Sequence, residues 1–144
     1  MKVLVVHGPN LNLLGTREKD VYGELTLEDV NARIEEAASG LGIEVDIHQT
    51  AREGEIIELL HSAIGEVDGA LVNPAAYSHT SRSIADAFRS VPYPIVEVHL
   101  SNIHAREPWR RVSVTGEAAR GVIAGLGAES YVAGLTALAA LSGS

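Results

Sequence analysis

The feature that most constrains the fold of this chain is a regular alternation of buried-strand patterns with amphipathic-helix patterns. The first strand pattern is the unbroken apolar run at 3–6, which is typical of a strand buried on both faces. Thr26 then predicts a helix N-cap with Asp29 as the acid of a capping box, and Gly42 predicts the end of that helix. A strand followed by a capped helix is the first half of a βαβ unit.

The alternation continues to the end of the chain, with further strands expected at 43–47, 69–72, 95–98 and 121–126. Apolar residues at helical spacing mark the helices, namely Leu27, Val30, Ile34, Ala38 and Leu41; Ile56, Leu60 and Ile64; Ile84, Phe88 and Val91; and Tyr131, Leu135 and Leu138. Strands joined through helices form right-handed βαβ units and therefore a parallel sheet. The sequence predicts a single α/β domain over residues 1–144, a flavodoxin-like three-layer fold with five parallel strands in the order 2-1-3-4-5.

Composition excludes several classes of function. The chain has no cysteine, which excludes disulfides and thiolate catalysis, and its formal net charge of −8 argues against a nucleic-acid partner. No apolar run approaches the ~20 residues of a membrane span, and the apolar run at 3–6 is too short for a signal peptide. We therefore expect a cytoplasmic protein without a membrane partner. Its lysines, Lys2 and Lys19, open a strand and lie in a polar loop, so neither resembles a desolvated Schiff-base nucleophile.

Polar residues collect where the predicted strands end, and ligands of open parallel sheets bind beyond the carboxyl ends of the strands. The first strand leads into 7–10, the third into 73–74 and 78–81, and the fourth into 97–102, all rich in Asn, His and Ser. The segments that follow these strands predict a polar pocket that binds hydroxyl groups. Dinucleotide, phosphate-loop and nucleophile-elbow motifs are missing, and His99 and His104 lack the usual helical metal spacing, so we expect no cofactor and no metal.

Ordered sequence blocks at these exits resemble the type II 3-dehydroquinate dehydratases over essentially the whole chain. The blocks are 8–15 (GPNLNLLG), Arg17-Glu18 with Tyr22-Gly23, His79-Thr80-Ser81, 97–107 (EVHLSNIHARE) and 121–127 (GVIAGLG). The chain departs from the family pattern at Lys19, usually proline, at Ala75, usually glycine, and at Arg52, Val112 and Val114. None of these departures removes a motif side chain.

The resemblance implies a cofactor-free hydro-lyase of the shikimate pathway. Such an enzyme removes water from 3-dehydroquinate by trans-elimination through an enolate and releases 3-dehydroshikimate. The same step serves aromatic biosynthesis and quinate breakdown, and both roles stay open. The resemblance also implies a homododecamer built as four trimers, and a mobile lid at about residues 16–24.

The resemblance implies a catalytic role for each of several side chains. Tyr22 is expected to be the base, acting as a tyrosinate that the guanidinium groups of Arg17 and Arg106 stabilise. His99 is expected to protonate the leaving hydroxyl, with Glu97 orienting its ring.

The remaining residues implied by the resemblance bind the substrate or its intermediate. Asn10 is expected to hold the enolate oxygen, directly or through a water. The substrate carboxylate would meet the backbone amides of Leu100 and Ser101 and the Ser101 hydroxyl. The other expected substrate-binding residues are Asn73, His79, Arg110 and, toward a neighbouring subunit, Asp86.

Each of these residues also has a plain structural interpretation. Asn10 after proline suits a turn, Tyr22 a loop aromatic, and Glu97 an exposed position on an edge strand. His99 could be a hydrogen-bonded strand-end histidine, 79–81 a helix cap, and the arginines solvated charges. The alternative functions are a non-catalytic flavodoxin-like binding module and a Schiff-base dehydratase. The remaining histidines, His7, His48, His61 and His104, are expected to be structural.

Overall fold

The computed structural model describes residues 1–16 and 19–142, and its strands form one parallel sheet. The strands are β1 (Lys2–His7), β2 (Glu44–Gln49), β3 (Gly69–Asn73), β4 (Ile95–His99) and β5 (Gly121–Ala124). Their order is β2-β1-β3-β4-β5, and every pairing is parallel. The flavodoxin-like order predicted from the alternation is therefore confirmed.

The helices cover both faces of this sheet. They are α1 (Lys19–Tyr22), α2 (Leu27–Leu41), α3 (Glu53–Ser62), α4 (Arg82–Ser90) and α5 (Glu129–Ser142). Helices α2 and α5 pack on one face and α3 and α4 on the other. Short 3-10 segments follow three of the strands: Leu11–Leu13 follows β1, Ala75–His79 follows β3, and Ile103–Ala105 and Pro108–Arg111 lie between β4 and β5. Among the described residues, no helix has both the length and the apolar character needed to cross a membrane.

Strand β1 supplies both hydrophobic cores, because successive side chains of a strand point to opposite faces of the sheet. Val3 and Val5 pack in the core under α2 and α5, where Tyr131 is fully buried. Leu4 and Val6 pack in the core under α3 and α4. The continuous apolar run at 3–6 is thus explained by burial on both sides.

The predicted limits of helix α2 are confirmed by its caps. The Thr26 hydroxyl accepts a hydrogen bond from the Asp29 amide (3.1 Å), and the Asp29 carboxylate accepts one from the Thr26 amide (3.0 Å). At the other end Gly42 has φ 70°, a left-handed conformation that glycine adopts without strain.

Other predicted boundaries were wrong by a few residues. Helix α3 ends at Ser62, and Ile64, expected on its buried face, is exposed in the turn that Gly65 completes with φ 82°. Strand β5 ends at Ala124 rather than 126, because Gly125 turns the chain with φ 91°. A glycine in the left-handed conformation follows directly after β5, and another lies in the turn after α3.

The backbone segments just beyond the carboxyl ends of β1 and β3 are in close contact. The Gly8 amide donates a hydrogen bond to the Asn73 carbonyl (2.8 Å). A Cβ added at Gly8 would lie 2.8 Å from the carbonyl carbon and oxygen of Pro74 and 2.9 Å from the carbonyl oxygen of Asn73. Only glycine allows this backbone contact.

We expect Gly8→Ala to lower the free energy of unfolding by about 1–3 kcal/mol, since backbone atoms must move apart to admit the methyl group. Gly40→Ala is the matched control: Gly40 lies in α2 with open space around it, and alanine there should stabilise by about 0.5–1 kcal/mol. Urea unfolding of both variants measures this. Wild-type stability in Gly8→Ala would contradict the packing described.

Candidate active site

A cavity of about 100 Å³ lies beyond the carboxyl ends of β1, β3 and β4. Most of the predicted site residues line it, namely Asn10, Tyr22, Asn73, His79, His99, Leu100, Ser101, Arg106 and Arg110. The strand ends thus bring together side chains that are far apart in sequence. Of the other predicted residues, Glu97 lies directly behind His99, Asp86 is exposed on α4 outside this cavity, and Arg17 is outside the described residues.

Tyr22 and Arg106 form a hydrogen-bonded pair in this cavity. The Arg106 Nη1 donates to the Tyr22 hydroxyl oxygen (2.8 Å) and also lies 3.4 Å from the Ser101 hydroxyl oxygen. The guanidinium carbon is 5.5 Å from the centroid of the Tyr22 ring, and the Arg106 side chain is only 9% exposed. The Arg106 guanidinium is thus held against the Tyr22 hydroxyl oxygen in a position largely shielded from water.

Glu97 and His99 form a second pair, at the end of β4. The Glu97 carboxylate is fully buried, and its Oε2 accepts a hydrogen bond from the His99 Nε2 (2.9 Å). Ser113 donates to the same oxygen (2.8 Å), and Thr115 donates to Oε1. Because β4 lies between β3 and β5, the interpretation of Glu97 as an exposed edge-strand residue is wrong.

The hydrogen bonds around Glu97 are all donated to it. The Ser113 hydroxyl oxygen accepts from the Gly116 amide (2.8 Å), so its own hydrogen is available for the carboxylate. A carboxylate surrounded by donors alone is satisfied in its ionised form and requires a hydrogen on the His99 Nε2. The other ring nitrogen of His99, Nδ1, is then the one left for chemistry in the cavity.

Asn73 is held at the end of β3 by two hydrogen bonds. Its Oδ1 accepts from the Ala75 amide (3.0 Å), and its Nδ2 donates to the Tyr131 hydroxyl oxygen (3.0 Å). Ala75 has φ 53°, a left-handed conformation that suits glycine better than alanine. Ala75 therefore keeps the backbone turn for which the family usually has glycine, and the Asn73 side chain helps to hold it.

His79 and Arg110 meet the same aromatic ring. The His79 Nδ1 donates to the Val112 carbonyl (2.7 Å), and the His79 ring makes an edge-on contact with Trp109 at 5.1 Å between centroids. The Arg110 guanidinium lies 4.2 Å from the centroid of the Trp109 ring, within the range of cation–π attraction. Trp109 was not predicted as a site residue, although its position beside Arg110 in the sequence was a possible signal.

The sequence allowed a turn at Asn10 and a helix cap at 79–81, and the structure has both of these features beside the cavity. Asn10 has φ 72° and its carbonyl accepts from the Leu13 amide (3.0 Å), so it is a turn residue that also lines the cavity. Ser81 caps α4 by accepting from the Ile84 amide (3.0 Å), while the preceding His79 faces the cavity. A turn or cap places these side chains at the sheet edge without preventing a binding role.

His7, fully buried beside Asn73, was expected to be structural. Its Nδ1 lies 2.9 Å from the Tyr131 hydroxyl oxygen and its Nε2 lies 2.8 Å from the Asn31 Oδ1. Burial lowers the pKa of His7 to about 4, against a partial opposing effect of the Asn31 hydrogen bond. His7 is therefore neutral in the folded protein at ordinary pH.

This burial predicts a loss of stability in acid. The unfolded chain takes up a proton at His7 near pH 6.5, whereas the folded chain does so only near pH 4, so stability falls as the pH is lowered between these values. We expect a contribution of about 3 kcal/mol between pH 7 and pH 4. Urea unfolding at several pH values should show a shallower decline for His7→Gln than for wild type. Parallel declines would contradict the assignment.

In the described part of the chain, no three His, Cys, Asp or Glu side chains are arranged as a metal site. The chemistry that the cavity offers is proton transfer and hydrogen bonding: a phenol beside a guanidinium, an imidazole oriented by a carboxylate, and amide and hydroxyl groups.

Comparisons with known proteins agree with this geometry. The family model described as Dehydroquinase class II matches residues 1–139. A 3-dehydroquinate dehydratase of Geotalea daltonii is 54% identical over 96% of this chain and 96% of its own length. The 3-dehydroquinate dehydratase of Clostridium acetobutylicum is 53% identical over the same shares of both chains. The crystal structure of a type II dehydroquinase from Butyrivibrio crossotus covers 96% of this chain and 97% of its own, with 41% identity and a TM-score of 0.93.

The family match spans nearly the entire chain, and the structural match covers nearly all of both chains at a TM-score of 0.93. The resemblance drawn from the sequence blocks is confirmed. This chain belongs to the class II dehydroquinase family.

Proposed function

We propose that this protein is a 3-dehydroquinate dehydratase of the shikimate pathway, a hydro-lyase that converts 3-dehydroquinate into 3-dehydroshikimate without a Schiff base. The observation that carries the proposal is that two proton-transfer pairs, Tyr22 with Arg106 and His99 with Glu97, meet at one cavity in a chain of this family. The reaction needs a base, a stabiliser of the enolate oxygen and an acid.

Tyr22 is the proposed base. As a phenolate it takes the proton from the carbon beside the substrate ketone, and the electron pair of that C–H bond moves to form the enolate. The Arg106 guanidinium, 2.8 Å from the phenol oxygen, stabilises the phenolate before the transfer. Arg17 belongs to the same proposal by resemblance, as a second cation.

His99 is the proposed acid. With Nε2 bonded to Glu97, a protonated Nδ1 donates its proton to the β-hydroxyl of the substrate. The enolate then collapses, the C–O bond breaks, and water leaves as the enone forms. Asn10, which lines the cavity, holds the enolate oxygen, directly or through a water, while this oxygen carries negative charge.

The remaining residues of the cavity hold the substrate. The substrate carboxylate binds the backbone amides of Leu100 and Ser101 and the Ser101 hydroxyl. Asn73, His79 and Arg110 bind its hydroxyl groups and carboxylate, with Trp109 supporting the last two through ring contacts.

We also propose the homododecamer of four trimers that the resemblance implies. Asp86 supports it, because its side chain is 82% exposed on α4 and does not line the cavity described above, as expected of a residue that completes a neighbour's site. Light scattering should give twelve times the chain mass of 15.2 kDa, and a monomer would contradict this part. The cytoplasmic location stays a prediction.

A Schiff-base mechanism has no suitable lysine among the described residues. Lys2 begins β1, at the opposite end of the sheet from the cavity, and Lys19 is exposed and does not line it. This geometry favours elimination through the enolate, without a covalent intermediate.

The product is a conjugated enone, so adding 3-dehydroquinate to nanomolar protein should raise the ultraviolet absorbance. A flat trace from folded protein would instead favour the non-catalytic binding module. This assay also provides the turnover measurement for the variants.

We expect Tyr22→Phe to lower kcat by roughly 10²–10⁴-fold, since the variant keeps the ring and loses the base. Substrate binding, measured by calorimetry, should change little. Tyr77→Phe is the matched control, because its hydroxyl donates to the Ala51 carbonyl (3.0 Å) and its ring does not line the cavity. If both variants turned over like wild type, Tyr22 would not be the base.

A further inference from the structure

We propose that Tyr131 and His7 are positioning residues that fix the side-chain amide of Asn73 in the orientation that binds substrate. The inference rests on the proposed function, in which Asn73 contacts the substrate. Neither Tyr131 nor His7 lines the cavity, so both act through Asn73.

The residues form one chain of hydrogen bonds across the core. Asn73, at the end of β3, bonds Tyr131 at the start of α5 (3.0 Å), and Tyr131 bonds His7 at the end of β1 (2.9 Å). His7 in turn bonds Asn31 on α2 (2.8 Å). Both Tyr131 and His7 are fully buried, so water does not compete for these bonds.

The donor and acceptor of each hydrogen bond in this series follow from one fixed donor, the Ala75 amide. That amide donates to the Asn73 Oδ1, so the Nδ2 of the same side chain faces Tyr131 and donates to its oxygen. The Tyr131 hydroxyl hydrogen then points to the His7 Nδ1, which accepts it in the neutral ring.

The last bond of this hydrogen-bonded series, between His7 and Asn31, is consistent with this assignment. A neutral His7 that accepts at Nδ1 carries its hydrogen on Nε2, where the Asn31 Oδ1 accepts it. The lowered pKa of His7 is consistent with a neutral ring. An imidazolium would turn a second N–H toward the Tyr131 oxygen and leave the phenol hydrogen without its acceptor.

The consequence for Asn73 is a single allowed orientation. With the Tyr131 hydrogen committed to the His7 Nδ1, a flipped amide would place its oxygen against the Tyr131 oxygen and its N–H against the Ala75 N–H, losing both bonds. One Nδ2 hydrogen and one Oδ1 lone pair remain unassigned, and Asn73 lines the cavity. These are the groups that it presents to a substrate hydroxyl or carboxylate.

Tyr131→Phe tests the inference, because it removes only the oxygen that holds Asn73. We expect KM and the calorimetric Kd for 3-dehydroquinate to rise roughly tenfold, about the value of one hydrogen bond, with kcat changed less than about twofold. A merely structural role would lower stability without this selective loss of binding.

Tyr93→Phe is the matched control. Tyr93 is also buried, and its hydroxyl donates to the Leu60 carbonyl (2.5 Å) in the core under α3 and α4, away from the cavity. We expect comparable destabilisation but unchanged KM and Kd. An equal rise of KM in both tyrosine variants would overturn the inference.

A second test asks whether Tyr131 acts through Asn73. In an Asn73→Ala background, Tyr131→Phe should raise the Kd no further. A further tenfold rise of the Kd in the double variant would contradict the proposal. If Tyr131→Phe fails to fold, His7→Leu is the second variant. It removes the imidazole that accepts the Tyr131 hydrogen and leaves the Tyr131 side chain intact, and it should also raise the Kd.

Different results would overturn the proposed dehydratase activity and the proposed positioning of Asn73. Absence of turnover by the wild-type protein would overturn the proposed function, while the calorimetric Kd of the variants would still test the positioning of Asn73. Wild-type turnover with an unchanged Kd in Tyr131→Phe and His7→Leu would overturn the positioning role alone.

Discussion

The buried carboxylate of Glu97 is the interaction on which the rest of the site depends. An unpaired charge inside a β-sheet is strongly destabilising, and this one is fully buried. Donors from His99, Ser113 and Thr115 compensate for the lost water, which ties the end of β4 to the segment that follows it. The same bonds orient the His99 ring, so one set of contacts serves both the folding of the sheet and the proposed acid catalysis.

The parallel sheet explains why the cavity forms where it does. The ends of β1, β3 and β4 provide a wall whose backbone is fixed by close packing at Gly8 and by the amide of Asn73. Tyr22 comes from the short helix α1 and reaches this wall through its hydrogen bond to Arg106. The proposed base is thus carried by a separate short segment, whereas the proposed acid belongs to the sheet.

The fold could be predicted because the strand runs and helix caps are local patterns, and the cavity because parallel strands end at one edge. What could not be predicted are contacts between residues that are distant in sequence or lack a distinctive local pattern. In the sequence, Thr115 is an ordinary polar residue and Tyr131 a core aromatic. Only the structure shows that Thr115 donates to Glu97 and that Tyr131 accepts from Asn73. The contact of Trp109 with the His79 ring forms only in the folded protein, since these residues are distant in sequence.

Neutron diffraction of the deuterium-exchanged protein would test the central claim most directly, since it locates the hydrogens between Glu97 and His99. A deuteron on the His99 Nε2 pointing to Glu97, with both carboxylate oxygens bare and accepting from Ser113 and Thr115, is the predicted result. A deuteron on the Glu97 carboxyl, with the His99 Nε2 bare, would contradict the account, because a neutral carboxyl would not stabilise the charged imidazolium that the proposed acid requires.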